Sequence, residues 1–256
     1  GGGGLSLVSV SGVLAEMDWL NSVCTNSTDD LFISAGLNEV RLFDLETGRT
    51  LQRMPHWHSA FVNCPKFANT IPYMIASTSL DQTMCLWDVR TPMAKPVYRR
   101  ELGWGSCMVC FSPTDDKLLV SGDDSRVCQY TVADGRLHSE LEMDSIGDDE
   151  GNYTKAYYTA DGRFAVSTGR LEDTLHVCLA CNGELVHSHV IRDRRPAHSM
   201  HLLTRTSRPD PFHPLRFSVL VDGWSPLTPD LPHGDNADSS TLAYLVDLTS
   251  AQGGGG

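Results

Sequence analysis

The sequence has 256 residues, of which 41% are hydrophobic and 20% charged, and 20 Lys and Arg against 32 Asp and Glu give a formal net charge of −12. This is the composition of a soluble globular protein, and no apolar run approaches the roughly 18 residues of a membrane span. A field of this sign repels phosphate and disfavours a broad nucleic-acid-binding face. We therefore expect protein partners rather than a membrane or nucleic acid.

The cysteines and the chain ends bear on the cellular compartment. The eight cysteines are scattered through strand-like runs, which favours core thiols of an intracellular protein over a disulfide framework. The chain starts with Gly rather than Met and has no secretory signal pattern. We expect a fragment of a nuclear or cytoplasmic protein, with residues 1–4 and 249–256 as linkers.

In chain order, the sequence alternates between short apolar runs and turn signals. The runs are rich in β-branched and aromatic residues, and their regular spacing predicts an all-β fold. The turn signals lie at 28–30, 46–48, 112–116, 133–135, 160–162 and 181–183.

Comparable segments recur along the chain, and each runs from an apolar strand through a small-polar turn into a second apolar strand. The four clearest segments are 31–48, 73–92, 117–135 and 163–183. Their anchor residues, spaced by 44, 43 and 48 positions, are Phe43, Trp87, Tyr130 and Cys178. A weaker fifth unit combines 216–221 with 241–248 around a polar, Pro-rich insertion at 223–240. A period of about 40–45 residues is typical of a β-propeller.

The second unit contains STSLDQTMCLWDVR at residues 77–90 and resembles the WD-repeat family. Trp87 occupies the family's Trp position, with Asp81 six residues, Ser77 ten residues and His58 29 residues before it. The resemblance implies a buried chain of hydrogen bonds from Trp to Ser, from Ser to His and from His to Asp. Such a chain gives every buried polar group a partner.

We predict an all-β WD-repeat β-propeller of about five four-stranded blade units. The units either close as a small ring or belong to a seven-bladed ring with further blades outside this chain. Residues 5–10 alternate like a strand and are expected to complete the last blade. The third and fourth units lack the Trp, and we expect them to be less rigid. The propeller spans 5–248, and its units cover 5–52, 53–98, 99–141, 142–190 and 191–248.

Catalytic and metal chemistry finds little support in the sequence. Two C-x-x-C pairs lie at 107–110 and 178–181, but 67 residues separate them, and strand residues i and i+3 point to opposite faces. His56 and His58 share one face of a predicted strand, although the repeat already uses His58. We predict no metal site, no cofactor and no enzymatic activity.

Arg90 is the candidate partner-binding residue, together with Asp88. It follows the third strand of its unit, where a solvated surface charge is the plain alternative. The stretch that ends in Trp-Asp-x-Arg is similar to the box that marks substrate receptors of cullin-4 ubiquitin ligases. Residues 51–170 also look like the propeller of damaged-DNA-binding protein 2, and the chain resembles plant and algal WD-repeat proteins that carry this box.

The resemblance implies that Asp81, Trp87 and Asp88 build the box and that Arg90 contacts the ligase adaptor, damaged-DNA-binding protein 1. A guanidinium suits this role because it offers a planar fork of donors to carboxylates or carbonyls. We predict a non-catalytic interaction platform, specifically a cullin-4 substrate receptor that binds the adaptor and an unknown substrate protein. The alternative is a generic WD-repeat scaffold in a chromatin, RNA-processing or trafficking complex.

Overall fold

The computed structural model describes residues 22–91, 95–143, 153–168 and 174–190 in full, and three further strands by their backbone. Every regular element in this part of the chain is a β-strand, and it contains no helix long and apolar enough to cross a membrane. The all-β prediction is therefore confirmed. The predicted strand at 5–10 and most of the insertion at 223–240 lie outside the described residues.

The first compact unit, Gly1–Ser106, contains two four-stranded antiparallel sheets. In each sheet the strands pair in chain order, so every strand returns beside the one before it. The first sheet comprises β1 (Ser22–Thr25), β2 (Leu31–Ala35), β3 (Val40–Asp44) and β4 (Thr50–Met54). The second sheet comprises β5 (Lys66–Phe67), β6 (Met74–Thr78), β7 (Thr83–Asp88) and β8 (Tyr98–Glu101).

The second compact unit, Cys107–Gly256, repeats this arrangement. The third sheet comprises β9 (Ser106–Phe111), β10 (Lys117–Gly122), β11 (Val127–Thr131) and β12 (Leu137–Glu140). The fourth sheet comprises β13 (Lys155–Tyr158), β14 (Phe164–Thr168), β15 (Thr174–Leu179) and β16 (Leu185–Val190). The fifth has three strands among the described residues, β17 (Ala197–Leu202), β18 (Arg216–Gly223) and β19 (Thr241–Asp247).

The four predicted anchors occupy one equivalent position in the first four sheets. Each is the penultimate residue of the third strand and is buried, at 0%, 2%, 7% and 0% exposure for Phe43, Trp87, Tyr130 and Cys178. The repeat period predicted from the sequence is therefore the period of the sheets. Strands β18 and β19 also pair with each other, as predicted for the fifth unit.

The turn after the third strand distinguishes the second sheet from its neighbours. In the other three four-stranded sheets this turn contains Gly48, Gly135 or Gly183 with φ of 67–85°, a conformation that glycine adopts without strain. Each of these glycines donates its N–H to a backbone carbonyl four residues earlier. In the second sheet the strand is followed by Val89, Arg90 and Thr91, none of which is a glycine, and the Arg90 side chain is exposed.

Each compact unit has its own apolar core between adjacent sheets. In the first unit, side chains from the first and second sheets pack into one cluster that includes Ile33, Leu42, Met54, Ile75 and Trp87. In the second unit, the cluster includes Leu119, Val127, Tyr158, Ala165 and Cys178. The central strands are buried on both faces, which explains their nearly continuous apolar runs.

The third sheet, which has Tyr130 in place of Trp, contains a different buried polar network. The Tyr158 hydroxyl donates a 2.8 Å hydrogen bond to Oε1 of Gln129. Nε2 of Gln129 donates in turn to Oγ of Ser139 at 2.8 Å. Because Gln129 is fully buried, its bond with Tyr158 links the third and fourth sheets where solvent does not compete, whereas its bond with Ser139 lies within the third sheet.

Candidate functional site

The polar side chains predicted to brace the second sheet do meet in its interior. Nε1 of Trp87 donates a 2.9 Å hydrogen bond to Oγ of Ser77. The Ser77 hydroxyl lies 2.9 Å from Nε2 of His58 and donates to it when Nδ1 carries the imidazole proton. All three residues are buried, so each polar atom depends on the next for its hydrogen bond.

The other end of this chain contains the expected contact between His58 and Asp81 and adds a contact with Thr83. Nδ1 of His58 lies 3.0 Å from Oγ1 of Thr83 and 3.3 Å from the nearer oxygen of Asp81. The Asp81 carboxylate also accepts from the Ser59 N–H at 2.8 Å and the Thr83 hydroxyl at 2.6 Å. Thr83 was missed in the sequence, although its place two residues after Asp81 is a recognisable turn pattern.

The electrostatics of Asp81 follow from these contacts. Burial of the side chain, which is 3% exposed, would by itself raise the pKa of Asp81. Hydrogen bonds from His58, Thr83 and the Ser59 N–H outweigh it and hold the pKa well below its usual range. The carboxylate is therefore ionised at neutral pH and serves as internal bracing.

The strand register places Trp87 over this network. Ile75 on β6 pairs with Trp87 on β7, and Ser77 lies two residues along the same face of β6. The indole N–H therefore reaches the Ser77 hydroxyl. Trp57 packs edge-on against Trp87, with ring centres 6.2 Å apart and an interplanar angle of 85°.

Arg90 lies outside this interior network and forms a two-point ion pair with Asp88. Nε of Arg90 donates to Oδ1 at 2.9 Å, and Nη2 donates to Oδ2 at 2.6 Å. The Arg90 side chain is 61% exposed and the Asp88 side chain 23% exposed. Hydrogen bonds from Arg90 hold the pKa of Asp88 below its usual value. Asp88 thus orients the guanidinium.

A Tyr ring also fixes the Arg90 side chain. The guanidinium carbon lies 3.5 Å from the centre of the Tyr73 ring, within the range of a cation–π contact. This contact was not predicted from the sequence, because Tyr73 lies 17 positions from Arg90 and the repeat pattern assigns it no role. One face of the guanidinium therefore rests on Tyr73 and one edge faces Asp88.

Hydrogen bonds from two other elements hold the turn that carries Arg90. The Val89 N–H donates to the Tyr73 carbonyl at 3.0 Å. Nε2 of Gln52, on β4 of the first sheet, donates to the Thr91 carbonyl at 3.2 Å. The turn is thus held on both sides of Arg90, which presents the side chain in a defined position.

A cleft of about 630 Å³ lies beside Arg90, between the first and second sheets of the first unit. Its apolar lining comes from both sheets and comprises Leu31, Leu42, Leu51, Pro72, Tyr73 and Val89. Asn26 ties the sheets together here, since its Nδ2 donates to the Pro72 carbonyl at 3.3 Å. Asn26 is only 2% exposed, so this bond is shielded from solvent.

The two histidines that were considered as a metal-binding pair lie in different environments, one exposed and one buried. The prediction that His56 and His58 share a strand face is wrong, because residues 55–58 lie outside any strand. His56 has φ of 66° and is exposed, whereas His58 is buried in the bracing network. No three His, Cys, Asp or Glu side chains in the described part of the chain could share a metal ion.

In each C-x-x-C pair, the first cysteine has a pKa that is raised by burial. Burial raises the pKa of Cys107 to about 12 and that of Cys178 to about 12. Both thiols therefore remain protonated at neutral pH, whereas the thiolate is the metal ligand and the nucleophile. The Cys178 thiol donates instead to the Glu142 carbonyl at 3.2 Å.

Four-stranded antiparallel sheets repeated along the chain define a β-propeller protein. Comparison with solved structures agrees. The β-propeller domain of Cps50 (Swd1) from Myceliophteria thermophila superposes with a TM-score of 0.65 at 14% sequence identity, over 91% of this chain and 73% of that domain. The profile of the family described as WD domain, G-beta repeat matches residues 48–88, which contain the bracing network.

Two curated proteins are similar in sequence. Protein DWD HYPERSENSITIVE TO UV-B 1 from Arabidopsis thaliana is 35% identical over 207 residues, which is 80% of this chain. DNA damage-binding protein CMR1 from Vanderwaltozyma polyspora is 31% identical over 28% of this chain. The chain spans 26% of the length of the first relative and 16% of the second. Residues 48–88 therefore contain a WD repeat, and the chain has the all-β architecture of a β-propeller.

Proposed function

We propose that this chain is the propeller of a substrate receptor of a cullin-4 type ubiquitin ligase and docks on the adaptor, damaged-DNA-binding protein 1, through Arg90. The observation that carries the proposal is the exposed Arg90 guanidinium, held by Asp88 and Tyr73 at the end of the Trp-Asp-x-Arg stretch. A side chain fixed before binding loses little entropy on binding.

The box residues divide into two structural groups, which supports a docking role for Arg90. Trp87, Ser77 and Asp81 are used inside the sheet and are not available to a partner. Asp88 has both oxygens on Arg90 and acts as its orienting residue. Arg90 is the box residue that the sheet interior does not use, and exposed Arg residues are enriched at interface hot spots.

The names of the two relatives also support the proposal. One name refers to hypersensitivity to UV-B and the other to binding of DNA damage. Both fit the resemblance of residues 51–170 to damaged-DNA-binding protein 2. We do not extend the proposal to DNA binding by this chain, because its net charge of −12 opposes contact with phosphate.

In this role the chain performs no chemistry of its own. It holds a substrate protein near the ligase and so raises the local concentration of the substrate there. We place this role in the nucleus or cytoplasm, where the ligase works.

Capture of the adaptor tests the proposal. The immobilised chain is incubated with purified adaptor, and the wild type is compared with Arg90→Ala. We expect the wild type to retain adaptor and Arg90→Ala to lose most of it. Trp87→Ala is unsuitable, because truncating a buried Trp costs about 3–5 kcal/mol and damages the sheet itself.

Arg136→Ala is the matched control. Arg136 lies on the turn after the third strand of the third sheet and pairs with Asp134 at 3.1 Å, as Arg90 pairs with Asp88. We expect this variant to retain adaptor like the wild type. If the wild type captures none, the receptor role is wrong. If Arg90→Ala and Arg136→Ala both match the wild type, the assignment of Arg90 is wrong.

A further inference from the structure

We propose that His187 and His189, on the outer strand of the fourth sheet, form a two-imidazole chelate for a late first-row divalent metal ion, with Zn²⁺ as the ion to be tested. The site is separate from the Arg90 turn and does not depend on the proposed ligase role. It revises the expectation from the sequence that this chain has no metal site, which rested on the C-x-x-C pairs and on His56 with His58.

The strand places both imidazoles on one face. β16 (Leu185–Val190) is the last strand in the order of its sheet, and residues i and i+2 of a strand point to the same side. The register is regular here, because His187 pairs with Val177 and His189 pairs with Leu175 on β15. The spacing of the two side chains is therefore set by the sheet before any ion binds.

The ring geometry brings the two imidazoles within reach of one ion. The ring centres lie 6.3 Å apart, with an interplanar angle of 24°. Two Zn–N bonds of about 2.0–2.1 Å, together with the distance from each ring centre to its nitrogen, span a comparable length. The nearly parallel rings have to turn to aim one nitrogen each at a shared ion, and both residues are exposed, so their rings have room to turn.

The donor type selects the class of metal. Imidazole nitrogen is a ligand for Zn²⁺, Cu²⁺ and Ni²⁺, whereas Mg²⁺ and Ca²⁺ require oxygen ligands. The residues paired with the two histidines, Leu175 and Val177, are buried and apolar, so they offer no competing ligand on this face. Two protein ligands leave further coordination positions open, which fits an exchangeable surface site and not a closed structural zinc site.

The outer strands of the other three four-stranded sheets contain no such pair. Strands β4 and β8 have no histidine, and β12 has His138 alone. Strand β16 itself carries no Lys or Arg that would repel a cation, and the basic residues Arg192, Arg194 and Arg195 follow it outside the described residues. Exposed and single, His138 is therefore the matched comparison for the pair.

NMR of the imidazole rings tests the inference on the full chain. Long-range proton–nitrogen spectra at neutral pH follow the ring signals of the 10 histidines while ZnCl₂ is added. We expect the signals of His187 and His189 to shift together and that of His138 to shift little. MgCl₂ should leave all three unchanged, because attraction of a cation to the net charge of −12 alone supplies no bond to nitrogen. Signals of His187 and His189 that shift no more than that of His138 would overturn the proposal.

Calorimetric titration of matched variants measures the size of the effect. His187→Ala and His189→Ala each leave one imidazole, and we expect either change to weaken Zn²⁺ binding by about tenfold or more, because the second Zn–N bond forms within one molecule at high effective concentration. His138→Ala is the control and should bind Zn²⁺ like the wild type, and unfolding curves show that the three variants are folded. Zn²⁺ binding by His187→Ala and His189→Ala that equals the wild type would contradict the chelate.

The result is separable from the proposed function. Adaptor capture is assigned to Arg90, whereas Zn²⁺ binding is assigned to the two histidines of β16. A wild type that binds Zn²⁺ through both histidines but captures no adaptor keeps this inference and removes the receptor role. A wild type that captures adaptor but binds Zn²⁺ no more tightly than Mg²⁺ keeps the receptor role and removes the chelate.

Discussion

The guanidinium carbon of Arg90 lies 3.5 Å from the centre of the Tyr73 ring, and the same side chain forms a two-point ion pair with Asp88. An exposed Arg on a turn ordinarily samples many rotamers, and ordering it on binding has an entropic cost. The contact with Tyr73 reduces that freedom before a partner arrives. Tyr73 is therefore a positioning residue for Arg90.

Replacing Tyr73 tests this positioning role. Cation–π contacts at exposed sites contribute about 0.5–1 kcal/mol, so Tyr73→Leu is expected to speed exchange of the Arg90 Nε proton by about two- to fivefold. NMR of the Arg Nε–H groups measures it. Tyr73→Phe keeps the ring face and is expected to behave like the wild type, and the Arg136 signal is an internal control. An unchanged Arg90 signal in Tyr73→Leu would show that the ring does not restrain it.

Ser77 links two buried polar groups, and its removal tests the bracing network. Ser77→Ala leaves both Nε1 of Trp87 and Nε2 of His58 without their partner. We expect a loss of about 2–4 kcal/mol in the free energy of unfolding, measured by urea denaturation followed by circular dichroism.

A double-mutant cycle with Trp87→Phe isolates the link between the two residues. In the Trp87→Phe background there is no indole N–H for Ser77→Ala to leave unpaired. The free energy of unfolding of the double variant should therefore exceed the additive value by at least about 0.5 kcal/mol. Strict additivity of the two changes would mean that the 2.9 Å contact does not stabilise the sheet.

The stability of the second sheet depends on pH, because it relies on the ionised carboxylate of Asp81. Its pKa is held below its usual value of about 3.9 in the folded chain. The carboxylate therefore stabilises the fold fully above that pH, and its contribution is lost as the pH falls from there through the lower folded-state pKa. Asp81→Asn should unfold about 2–4 kcal/mol more easily at pH 7, and the difference from the wild type should narrow as the pH falls below about 4.

Denaturation at several pH values measures that difference. Asp88→Asn is the control, because the Asp88–Arg90 pair is exposed and surface pairs contribute about 0–1 kcal/mol. A difference in the free energy of unfolding between wild type and Asp81→Asn that stays constant down to pH 2 would contradict the assignment of the low pKa to Asp81.

Alanine substitutions at Gly183 and Gly103 distinguish the cost of backbone strain from the cost of a steric clash. Both have similar left-handed φ values, +85° and +82°. A Cβ at Gly183 would lie 2.3 Å from the Glu140 carbonyl oxygen, whereas nothing lies within 4 Å of a Cβ at Gly103. We expect Gly103→Ala to lower the free energy of unfolding by about 1–2 kcal/mol and Gly183→Ala to lower it by at least about 2 kcal/mol more. Equal losses in thermal or urea unfolding would show that the turn moves away from Glu140 without difficulty.

The sequence predicted what depends on local pattern. The anchor positions from Phe43 to Cys178 follow a fixed period, and the turn triplets that end in Gly48, Gly135 and Gly183 carry their own backbone requirement. The spacing of His58, Ser77 and Trp87 likewise matches the WD-repeat pattern. In that pattern, the pairing of neighbouring strands brings these side chains together. These features were visible without any knowledge of the tertiary structure.

The sequence could not predict contacts that depend on strand register and on packing between sheets. Tyr73 meets Arg90 because Met74 pairs with Asp88, which brings together the residues just beyond each strand end. Gln52 reaches Thr91 only because the first sheet lies beside the second within the same unit. His56 was misplaced because the chain turns at positive φ where an extended strand was expected.

The affinity of the adaptor for matched arginine variants tests the central claim most directly. Biolayer interferometry would compare wild type, Arg90→Ala, Arg90→Lys and Arg136→Ala, with unfolding curves to show that all four are folded. The account predicts unchanged Kd for Arg136→Ala, and on the order of tenfold or more weaker binding for Arg90→Ala and Arg90→Lys, because Lys lacks the planar fork. Arg90→Ala binding as tightly as the wild type, or no measurable binding by the wild type, would contradict it.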